Sequence, residues 1–339
     1  MMENNVLTEL EPGVLKGVQT PTIEKILAAG IHTVADLANL IPSELAERGG
    51  MGKDTAENAI RKALEYVRLG YVTGKQLHDE LKKRTRLTTG SLALDELLGG
   101  GIESETTTEI IGKNGAGKTQ ICHTLAVLAQ LPIEEGGLAG KVAWIDTEDT
   151  FRPDRIEQIA TSLSLDVDEI LNGILRRKAI TTLDQMMAVE ELSELFRTSN
   201  IKLVIVDSMM SHLRSEYIGR GTLSERQGIL NRILHKLSKL SQTWKLTTVY
   251  TNQVMDNPGI MYGNPERAVG GHIMGHAATT RFHIKKSSAG ACIATMVKSP
   301  SLADGQAPFI IDEYGIRDTA AERKRREKEK ENEEKQDEN

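Results

Sequence analysis

The stretch TTEIIGKNGAGKTQICHTLA, residues 107–126, decides the fold expected for this chain. TTEII is rich in β-branched and apolar residues and predicts a strand, the glycines after it predict a turn, and TQICHTLA predicts a helix. A strand, a glycine turn and a helix in succession direct backbone N–H groups and the positive end of a helix toward one point. The stretch therefore predicts a phosphate site within an α/β domain.

The spacing within the turn matches the P-loop pattern. Gly112 is followed by four residues and then by Gly117, Lys118 and Thr119. In this pattern the lysine reaches the β- and γ-phosphates of a nucleotide, and the hydroxyl after it binds Mg²⁺. We therefore expect ATP and Mg²⁺ as cofactors. The residues of the turn expected to contact ATP are Gly112, Lys113, Asn114, Gly115, Ala116, Gly117, Lys118, Thr119 and Gln120.

A second acidic anchor for the metal ion lies further along the chain. The segment KLVIVDS, residues 202–208, is an apolar strand that ends at Asp207. A carboxylate at the end of such a strand suits Mg²⁺ binding together with the P-loop hydroxyl. We expect Thr119 and Asp207 to hold the ion.

Hydrolysis also requires a group that orients or deprotonates water. The segment VAWIDTEDTF, residues 142–151, brings Asp146, Glu148 and Asp149 to the end of another strand. In an open parallel sheet the carboxyl ends of the strands line the ligand crevice, and a carboxylate there can act as a general base. Spacing alone does not decide which of the three acids does so.

Composition divides the chain into four parts. Residues 1–70 alternate short helical segments with glycine turns, and residues 71–84 form a charged link. Residues 85–317 alternate apolar strands with helices, which predicts a mostly parallel sheet covered on both faces. Residues 318–339 mix both signs of charge without an apolar stripe, which predicts a disordered or fraying helical tail.

Several other classes of protein are disfavoured. Only two cysteines occur in 339 residues, Cys122 and Cys292, so we expect neither a disulfide framework nor a zinc site. There is no run of about 18 apolar residues and no basic-then-apolar leader, so we expect a cytoplasmic protein without a membrane partner. The net charge of −6 does not favour nucleic-acid binding as a bulk property, although local basic loops can still bind it.

The motifs resemble the RadA/RecA recombinase family, and its archaeal RadA members in particular. The resemblance rests on GGGIESETTTEIIGKNGAGKTQICH, DTEDTFRPDRI, LVIVDS, RSEYIGRGTLSERQ, TNQV and AVGGHIMGHAATTRF, in that order. It covers nearly all of residues 10–317, and the N-terminal region resembles the family's helix-hairpin-helix domain. The resemblance implies a RecA-like ATPase core and an ATP-dependent filament on single-stranded DNA that pairs it with homologous duplex and exchanges strands. The implied partners are single- and double-stranded DNA, further copies of this chain in a filament or ring, and recombination mediators, at the nucleoid.

The resemblance also implies roles for individual residues around ATP. Glu148 matches the base that activates water, and Gln253 matches the residue that couples the γ-phosphate to the DNA loops. Arg155 resembles a residue that stacks on adenine, Gln158 one that bonds to the base, and His276 one that reaches the neighbouring subunit's nucleotide. The implied catalytic residues are Glu148, Lys118 and Gln253.

Two positions depart from the family pattern. Asp149 stands where DTEGTF-type motifs have glycine, and we expect a carboxylate so close to Glu148 to raise the proton affinity of the pair or to recruit a cation. In MVKSPSLADGQAPF, residues 296–309, Lys298 stands where many relatives have an aspartate that helps to hold a cation at the γ-phosphate. We expect Lys298 to supply that charge directly, with little dependence on potassium, unless it points to solvent. Asp304 is a further candidate ligand in this cap over ATP.

The DNA contacts are expected in two loops. RSEYIGRGTLSERQ carries arginines whose guanidinium groups suit phosphates and bases. MDNPGIMYGNPERAVGG is a long loop with apolar side chains that can wedge between bases. The candidate DNA-binding residues are Arg214, Arg220, Arg226, Ile260, Met261 and Tyr262. We expect the N-terminal domain to help capture duplex DNA through its phosphates.

The linker YVTG resembles the family's polymerisation motif, in which an aromatic side chain fills a pocket on the neighbouring subunit. Tyr71 is the aromatic residue here and Gly74 the small one. Two other interpretations remain open at this point. One is an accessory member of the family that regulates recombinase filaments without exchanging strands. The other is a DNA-coating protein that uses ATP only for assembly. A small-molecule kinase is a more distant third, because it would have no use for the two loops.

Overall fold

A computed structural model gives the structure of the chain. The residues it describes are 8–67, 71–219, 221–256, 266–287 and 290–337. It divides the chain into two compact units, Met1–Lys83 and Arg84–Asn339, which are described separately.

The first unit is all-helical. Its helices are α1 (Thr20–Ala28), α2 (Val34–Ala38), α3 (Pro42–Arg48), α4 (Lys53–Val67) and α5 (Gly74–Leu81). Helices α1 and α3 each have a proline in the first turn, where a missing N–H is tolerated. Helix α2 is capped by the Thr33 hydroxyl, which accepts the Asp36 N–H. The core of this unit is built from small and aliphatic side chains, among them Ile23, Ile26, Leu37, Leu45, Ala59 and Ile60. Helix α5 lies within the stretch that we expected to be a charged link.

The second unit contains the remaining elements. Its helices are α6 (Leu92–Leu97), α7 (Lys118–Leu128), α8 (Pro153–Ser162), α9 (Val167–Asn172), α10 (Thr182–Thr198), α11 (Ser211–Glu216), α12 (Leu223–Thr243), α13 (Gly271–Ala277) and α14 (Ala320–Asp337). Its strands are β1 (Arg86–Leu87), β2 (Ile102–Glu103), β3 (Thr107–Gly112), β4 (Lys141–Asp146), β5 (Ile174–Lys178), β6 (Ile201–Asp207), β7 (Thr247–Asp256), β8 (Glu266–Ala268), β9 (Thr280–Lys286), β10 (Cys292–Lys298), β11 (Gln306–Asp312) and β12 (Gly315–Asp318).

One large sheet organises this unit. Its strand order is β12-β11-β10-β9-β3-β7-β6-β4-β5, and β8 pairs with β7. All neighbours from β9 to β5 run parallel, whereas β9 to β12 form an antiparallel extension. The predicted α/β core with a mostly parallel sheet is thus confirmed. The carboxyl ends of β3, β4, β6 and β7 meet at one edge, which is where the predicted motifs lie.

Helices cover both faces of the sheet, because alternate side chains of a strand point to opposite sides. On β6, Leu203 and Ile205 pack in one apolar cluster with α7 and α8, whereas Val204 and Val206 pack in another with α10 and α12. Near-continuous apolar strands are what burial on both faces requires. The site at the edge of the sheet therefore rests on a rigid, two-sided core.

The C-terminal segment is helical, although we also considered a disordered tail. Helix α14 begins at Ala320, and Arg326 forms ion pairs with Glu96 at 2.6 Å and with Asp318 at 3.5 Å. Asp318 in turn accepts the Ser91 hydroxyl at 2.5 Å. These polar contacts hold the first turns of α14 against the core without an apolar stripe. Among the described residues, no helix combines the length and apolarity needed to cross a membrane.

Candidate nucleotide and catalytic site

The glycine turn between β3 and α7 depends on backbone conformations that other residues rarely adopt. Gly115 and Gly117 have φ angles of 72° and 108°, in the left-handed region that favours glycine. A Cβ atom at Gly117 would also lie 2.5 Å from the Ile311 side chain. The turn leads directly into α7 at Lys118, so the N-terminus of an 11-residue helix faces the cavity. This arrangement suits a bound phosphate.

Lys118 is buried at the turn rather than extended into solvent. Its side chain is 8% exposed, and Nζ donates to the carbonyl oxygens of Gly112 and Lys113, each at 2.9 Å. Burial lowers the pKa of Lys118, and the carboxylates of Asp207 and Glu148 oppose that shift. A cation is therefore held beside the turn, where it can meet the terminal phosphates of a nucleotide.

Asp207 lies at the carboxyl end of β6 within a group of hydroxyls. Its Oδ2 accepts the Thr119 hydroxyl at 2.7 Å and the Thr150 hydroxyl at 3.3 Å, and its Oδ1 accepts the Thr251 hydroxyl. Burial raises the pKa of Asp207, whereas the hydrogen bonds from Thr251 and Thr119 lower it. Sequence reasoning assigned no role to Thr150 or Thr251, although they belong to the motifs DTEDTFRPDRI and TNQV.

Thr119 and Asp207 fit Mg²⁺. A hydroxyl and a carboxylate are oxygen donors, which Mg²⁺ prefers, and this ion usually takes only one or two protein ligands beside phosphates and waters. In the part of the chain that the structure describes, no group of three or more His, Cys, Asp or Glu side chains could hold a metal ion. The pair that the sequence predicted is therefore the candidate metal site.

Glu148 is the one of the three candidate acids that lines the nucleotide cavity. Its Oε1 accepts the Ser208 hydroxyl at 2.5 Å and the Gln253 amide at 3.2 Å. The cavity has a volume of about 410 Å³, and its lining includes Lys118 and Thr119. Ser208 was missed by sequence reasoning, although its place directly after Asp207 was a usable signal.

Gln253 joins this carboxylate to helix α11. Its Oε1 accepts Nη1 of Arg214 at 3.1 Å, while its amide nitrogen donates to Glu148. Glu148 and Gln253 line both the nucleotide cavity and a second cavity of about 300 Å³ that includes Arg214. A continuous hydrogen-bonded path thus leads from the nucleotide cavity to an arginine at the start of the first predicted DNA loop.

One of the two alternatives expected for Asp149, a higher proton affinity, is wrong. Its carboxylate does not couple to Glu148 but forms ion pairs with Arg176 at 2.6 Å and Lys178 at 2.7 Å. Hydrogen bonds from Lys178 and Arg176 lower the pKa of Asp149, which is the opposite of the predicted rise. The backbone there has a φ of 57°, so the position does favour the conformational freedom that glycine would give.

The predicted base-binding residues lie on α8 beside the turn. The Arg155 guanidinium donates to Gln120 Oε1 at 2.7 Å, to the Asp312 carbonyl at 2.5 Å and to the Gln158 side chain. Burial lowers the pKa of Arg155. Arg155, Gln158 and Gln120 are therefore brought together, with the guanidinium held by its neighbours.

Lys298 and helix α13 lie at the opposite edge of the sheet from the nucleotide cavity, beside the amino ends of β3 and β9. His276 is an exposed residue of α13, and its ring stacks on His272 with centroids 6.3 Å apart. The Lys298 ammonium does not point freely to solvent, since it donates to the carbonyls of Gly275 at 3.2 Å, His276 at 3.0 Å and Ala278 at 2.7 Å. Asp304 lies in an exposed loop.

The structure describes only part of the predicted DNA-binding set. Arg214 lies on α11 and Arg226 in the first turn of α12, and both are half-buried. Four of the predicted residues lie outside the described residues: Arg220, Ile260, Met261 and Tyr262. In the first unit, Tyr71 is fully exposed and Gly74 begins α5. The two cysteines, Cys122 and Cys292, are free and buried.

A family model described as Rad51 matches residues 81–319, which include every element of the nucleotide site. The chain belongs to the Rad51 family. A second model, the SAM-like helix-hairpin-helix tandem, matches residues 15–64 of this Rad51 family member, within its all-helical unit.

Two curated relatives are similar in sequence to this protein over most of its length. The DNA repair and recombination protein RadA of Aeropyrum pernix is 44% identical over 304 residues, covering 90% of this Rad51 family chain and 95% of the relative. The protein of the same name from Metallosphaera sedula is 44% identical over 305 residues, covering 90% and 94%. The predicted resemblance to archaeal RadA is confirmed.

Proposed function

We propose that this protein forms an ATP-dependent filament on single-stranded DNA, pairs that strand with a homologous duplex and exchanges the strands. As a Rad51 family member, it is a DNA-dependent ATPase of DNA repair and recombination. Filament formation and strand exchange are the parts that we propose. The observation that carries them is the hydrogen-bonded path from Glu148 through Gln253 to Arg214.

The path gives a physical reason for coupling hydrolysis to DNA. Gln253 can reorient only by changing its contacts at both ends, since one side-chain amide bonds to Glu148 and Arg214 together. A DNA phosphate that attracts the Arg214 guanidinium would draw it away from Gln253 and free the amide. DNA binding would thereby alter the surroundings of Glu148.

The residues of the nucleotide site have separate roles in binding and hydrolysing ATP. Lys118 and the glycine turn bind the phosphates, Arg155 and Gln158 hold the base, and Glu148 takes a proton from the attacking water. Thr119 and Asp207 would hold Mg²⁺, which neutralises phosphate charge and orients the triphosphate.

We infer that ATP lies between two copies of the chain. The exposed His276 and the loop with Asp304 are free to face a neighbour's nucleotide, and the Lys298 ammonium adds a fixed positive charge beside them. Tyr71 is 110% exposed and contributes nothing to the core of its own unit, as a residue that docks on a neighbour should.

Contacts with DNA would come from both units. Arg214, Arg220 and Arg226 suit the phosphates of the bound strand, and Ile260, Met261 and Tyr262 suit insertion between bases. The helix-hairpin-helix unit would meet the duplex through backbone N–H groups and lysines, without reading its sequence. Recombination mediators remain candidate partners, and we propose that the protein acts in the cytoplasm at the nucleoid.

Electron microscopy with single-stranded DNA tests the proposal directly. With a non-hydrolysable ATP analogue, regular filaments are expected on DNA, and without nucleotide only rings or short oligomers. A D-loop assay with purified protein alone then separates strand exchange from a regulatory role. Filaments without D-loops would favour the accessory member of the family.

Phosphate release separates the recombinase from a protein that only coats DNA. Single-stranded DNA should stimulate release by the wild type and not by Glu148→Gln, which keeps the hydrogen-bonding shape but loses the base. Glu157→Gln, an exposed glutamate on α8, is the matched control and should behave as the wild type. No release under any condition would favour the coating protein.

A further inference from the structure

The turn that carries Glu148 is organised around a buried carboxylate at the end of β4. Asp146 is 0% exposed. Its Oδ1 accepts the backbone N–H groups of Glu148 at 3.3 Å and Thr150 at 3.1 Å, and its Oδ2 accepts that of Phe151 at 3.3 Å. Because these bonds tie three N–H groups to one carboxylate, any movement of Asp146 would move the backbone that carries Glu148.

Asp146 is itself fixed from the neighbouring strand β5. Arg176 donates to Asp146 Oδ2 through Nε at 3.0 Å and through Nη2 at 2.7 Å. The same Nη2 also donates to Asp149 Oδ1 at 2.6 Å, and Lys178 donates to Asp149 Oδ2 at 2.7 Å. One guanidinium thus bridges the carboxylate two residues before Glu148 and the carboxylate directly after it.

These four side chains, Asp146, Asp149, Arg176 and Lys178, form what we term the turn clamp. Two cations face two carboxylates, so the clamp adds little net charge beside Glu148. Asp149 also has the left-handed backbone with a φ of 57°, which costs energy for a residue with a Cβ. Its two ion pairs hold it there.

We propose that Arg176 and Asp149 are positioning residues for ATP hydrolysis. Neither side chain lines the nucleotide cavity. They act by holding the turn so that the Glu148 carboxylate stays between Ser208 and Gln253. This deepens the proposed function and rests on it, because it assumes that Glu148 is the base. The sequence suggested instead that Asp149 would perturb Glu148 directly.

The test compares variants of the whole protein in DNA-stimulated ATP hydrolysis. Arg176→Gln and Asp149→Asn should each lower kcat about tenfold or more, because small displacements of a catalytic group cost large factors in rate. KM for ATP, and the affinity for a fluorescent non-hydrolysable ATP analogue, should stay within about twofold, since the phosphate cradle is untouched. Arg176→Lys keeps the charge but cannot bridge both carboxylates, so it should recover only part of the rate.

Arg177→Gln is the matched control. Arg177 is the next residue on β5 and forms ion pairs with Asp184 at 2.8 Å and Glu191 at 3.1 Å, away from the clamp. The Arg177→Gln variant loses one arginine and its ion pairs from the same strand as Arg176→Gln does. Its kcat should equal that of the wild type. In a Glu148→Gln background, Arg176→Gln should cause no further loss, because there is no base left to position.

Several outcomes would overturn the inference. A wild-type kcat for Arg176→Gln and Asp149→Asn would do so, as would an equal loss in Arg177→Gln or a parallel loss of analogue binding. Should Arg176→Gln fail to fold, Asp149→Asn decides alone, since the Asp149 side chain is 57% exposed. Absence of hydrolysis in the wild type would instead refute the proposed function, and the inference with it.

Discussion

The ammonium of Lys298 is held in a fixed position at the end of β10. Its ammonium is fixed by three carbonyls at the end of α13, where a helix C-terminus favours positive charge. A positive charge is therefore present at the predicted ATP cap without any added cation. Burial lowers the pKa of Lys298, as does the charge of Arg281, while Glu109 opposes this.

The prediction for Lys298 concerns potassium. DNA-stimulated ATP hydrolysis by the wild type should differ by less than about twofold between sodium and potassium chloride at equal ionic strength, since salt then screens equally. Lys298→Asp restores the residue that many relatives have and should make the rate potassium-dependent. Lys285→Asp, on β9, provides a control for an added charge reversal. A strong potassium requirement in the wild type would contradict the prediction.

The buried histidine His123 makes the stability of the fold depend on pH. Its ring is 1% exposed, packs against Trp144 and Phe151, and accepts the Arg152 N–H at Nε2, 3.0 Å away. Burial lowers the pKa of His123 from 6.5 to about 4. Between these values the unfolded chain binds a proton that the folded chain does not, so stability falls as the pH falls through this window.

The prediction compares how the free energy of unfolding of the wild type and of His123→Gln changes with pH. His123→Gln keeps an acceptor for the Arg152 N–H but cannot titrate, so its free energy of unfolding should fall less between pH 6.5 and 4. The difference should approach about 3 kcal/mol at most, measured by denaturant titration at a series of pH values. His78→Gln, whose parent side chain is 57% exposed, should follow the wild type. Equal slopes for all three would contradict the prediction.

At the scale of elements, helix α5 begins with its own capping residues, and the two residues before the cap are exposed. Thr73 caps the helix through a reciprocal capping box with Gln76, which fixes the helix start without help from Tyr71. Tyr71 and Val72 are both exposed. The aromatic side chain can therefore be removed without disturbing the helix that follows it.

Tyr71→Ala should therefore leave folding intact and abolish assembly. The melting temperature of the dilute protein should change little, because an exposed side chain contributes little to stability. Light scattering with DNA and an ATP analogue should show that large species are lost. Ile41→Ala removes another exposed hydrophobic residue of the same unit, 56% exposed, and should assemble normally. Unchanged large species in Tyr71→Ala would refute the polymerisation role.

Elements were predictable where the pattern was local. TTEII, the glycine turn and KLVIVD each carry their own signal, so β3, the start of α7 and the end of β6 could be located. The partner of Asp149 could not be found in this way, since Arg176 and Lys178 lie on another strand and meet it only through β4–β5 pairing. The partners of Lys298 could not be found from local pattern either, because the carbonyls in and just after α13 become its neighbours only in the folded chain.

At the scale of the whole molecule, nucleotide, DNA and neighbouring copies should bind as one linked system. In the proposed function, the path from Glu148 to Arg214 would connect the nucleotide with DNA, and the cap residues would connect the nucleotide with a neighbouring copy. By reciprocity, a ligand that strengthens the binding of another is itself strengthened by the same factor. Assembly adds to this linkage a dependence on protein concentration.

The measurable consequence is a shift in nucleotide affinity. Single-stranded DNA should tighten binding of a fluorescent ATP analogue, and so should higher protein concentration, by about fivefold or more. Gln253→Ala breaks the path and should bind the analogue equally well with and without DNA. Gln227→Ala, a half-buried glutamine of α12, is the control. A DNA effect that survives intact in Gln253→Ala would contradict the coupling path.

The position of β3 within the sheet determines when the nucleotide site can fold during synthesis of the chain. This strand pairs on one side with β7 and on the other with β9, and the ribosome adds both much later than the P-loop itself. The all-helical unit relies on short-range contacts and can fold on the nascent chain soon after it emerges. The nucleotide cradle cannot form until the chain has been extended through Lys286, so an incomplete polypeptide carries no working ATP site.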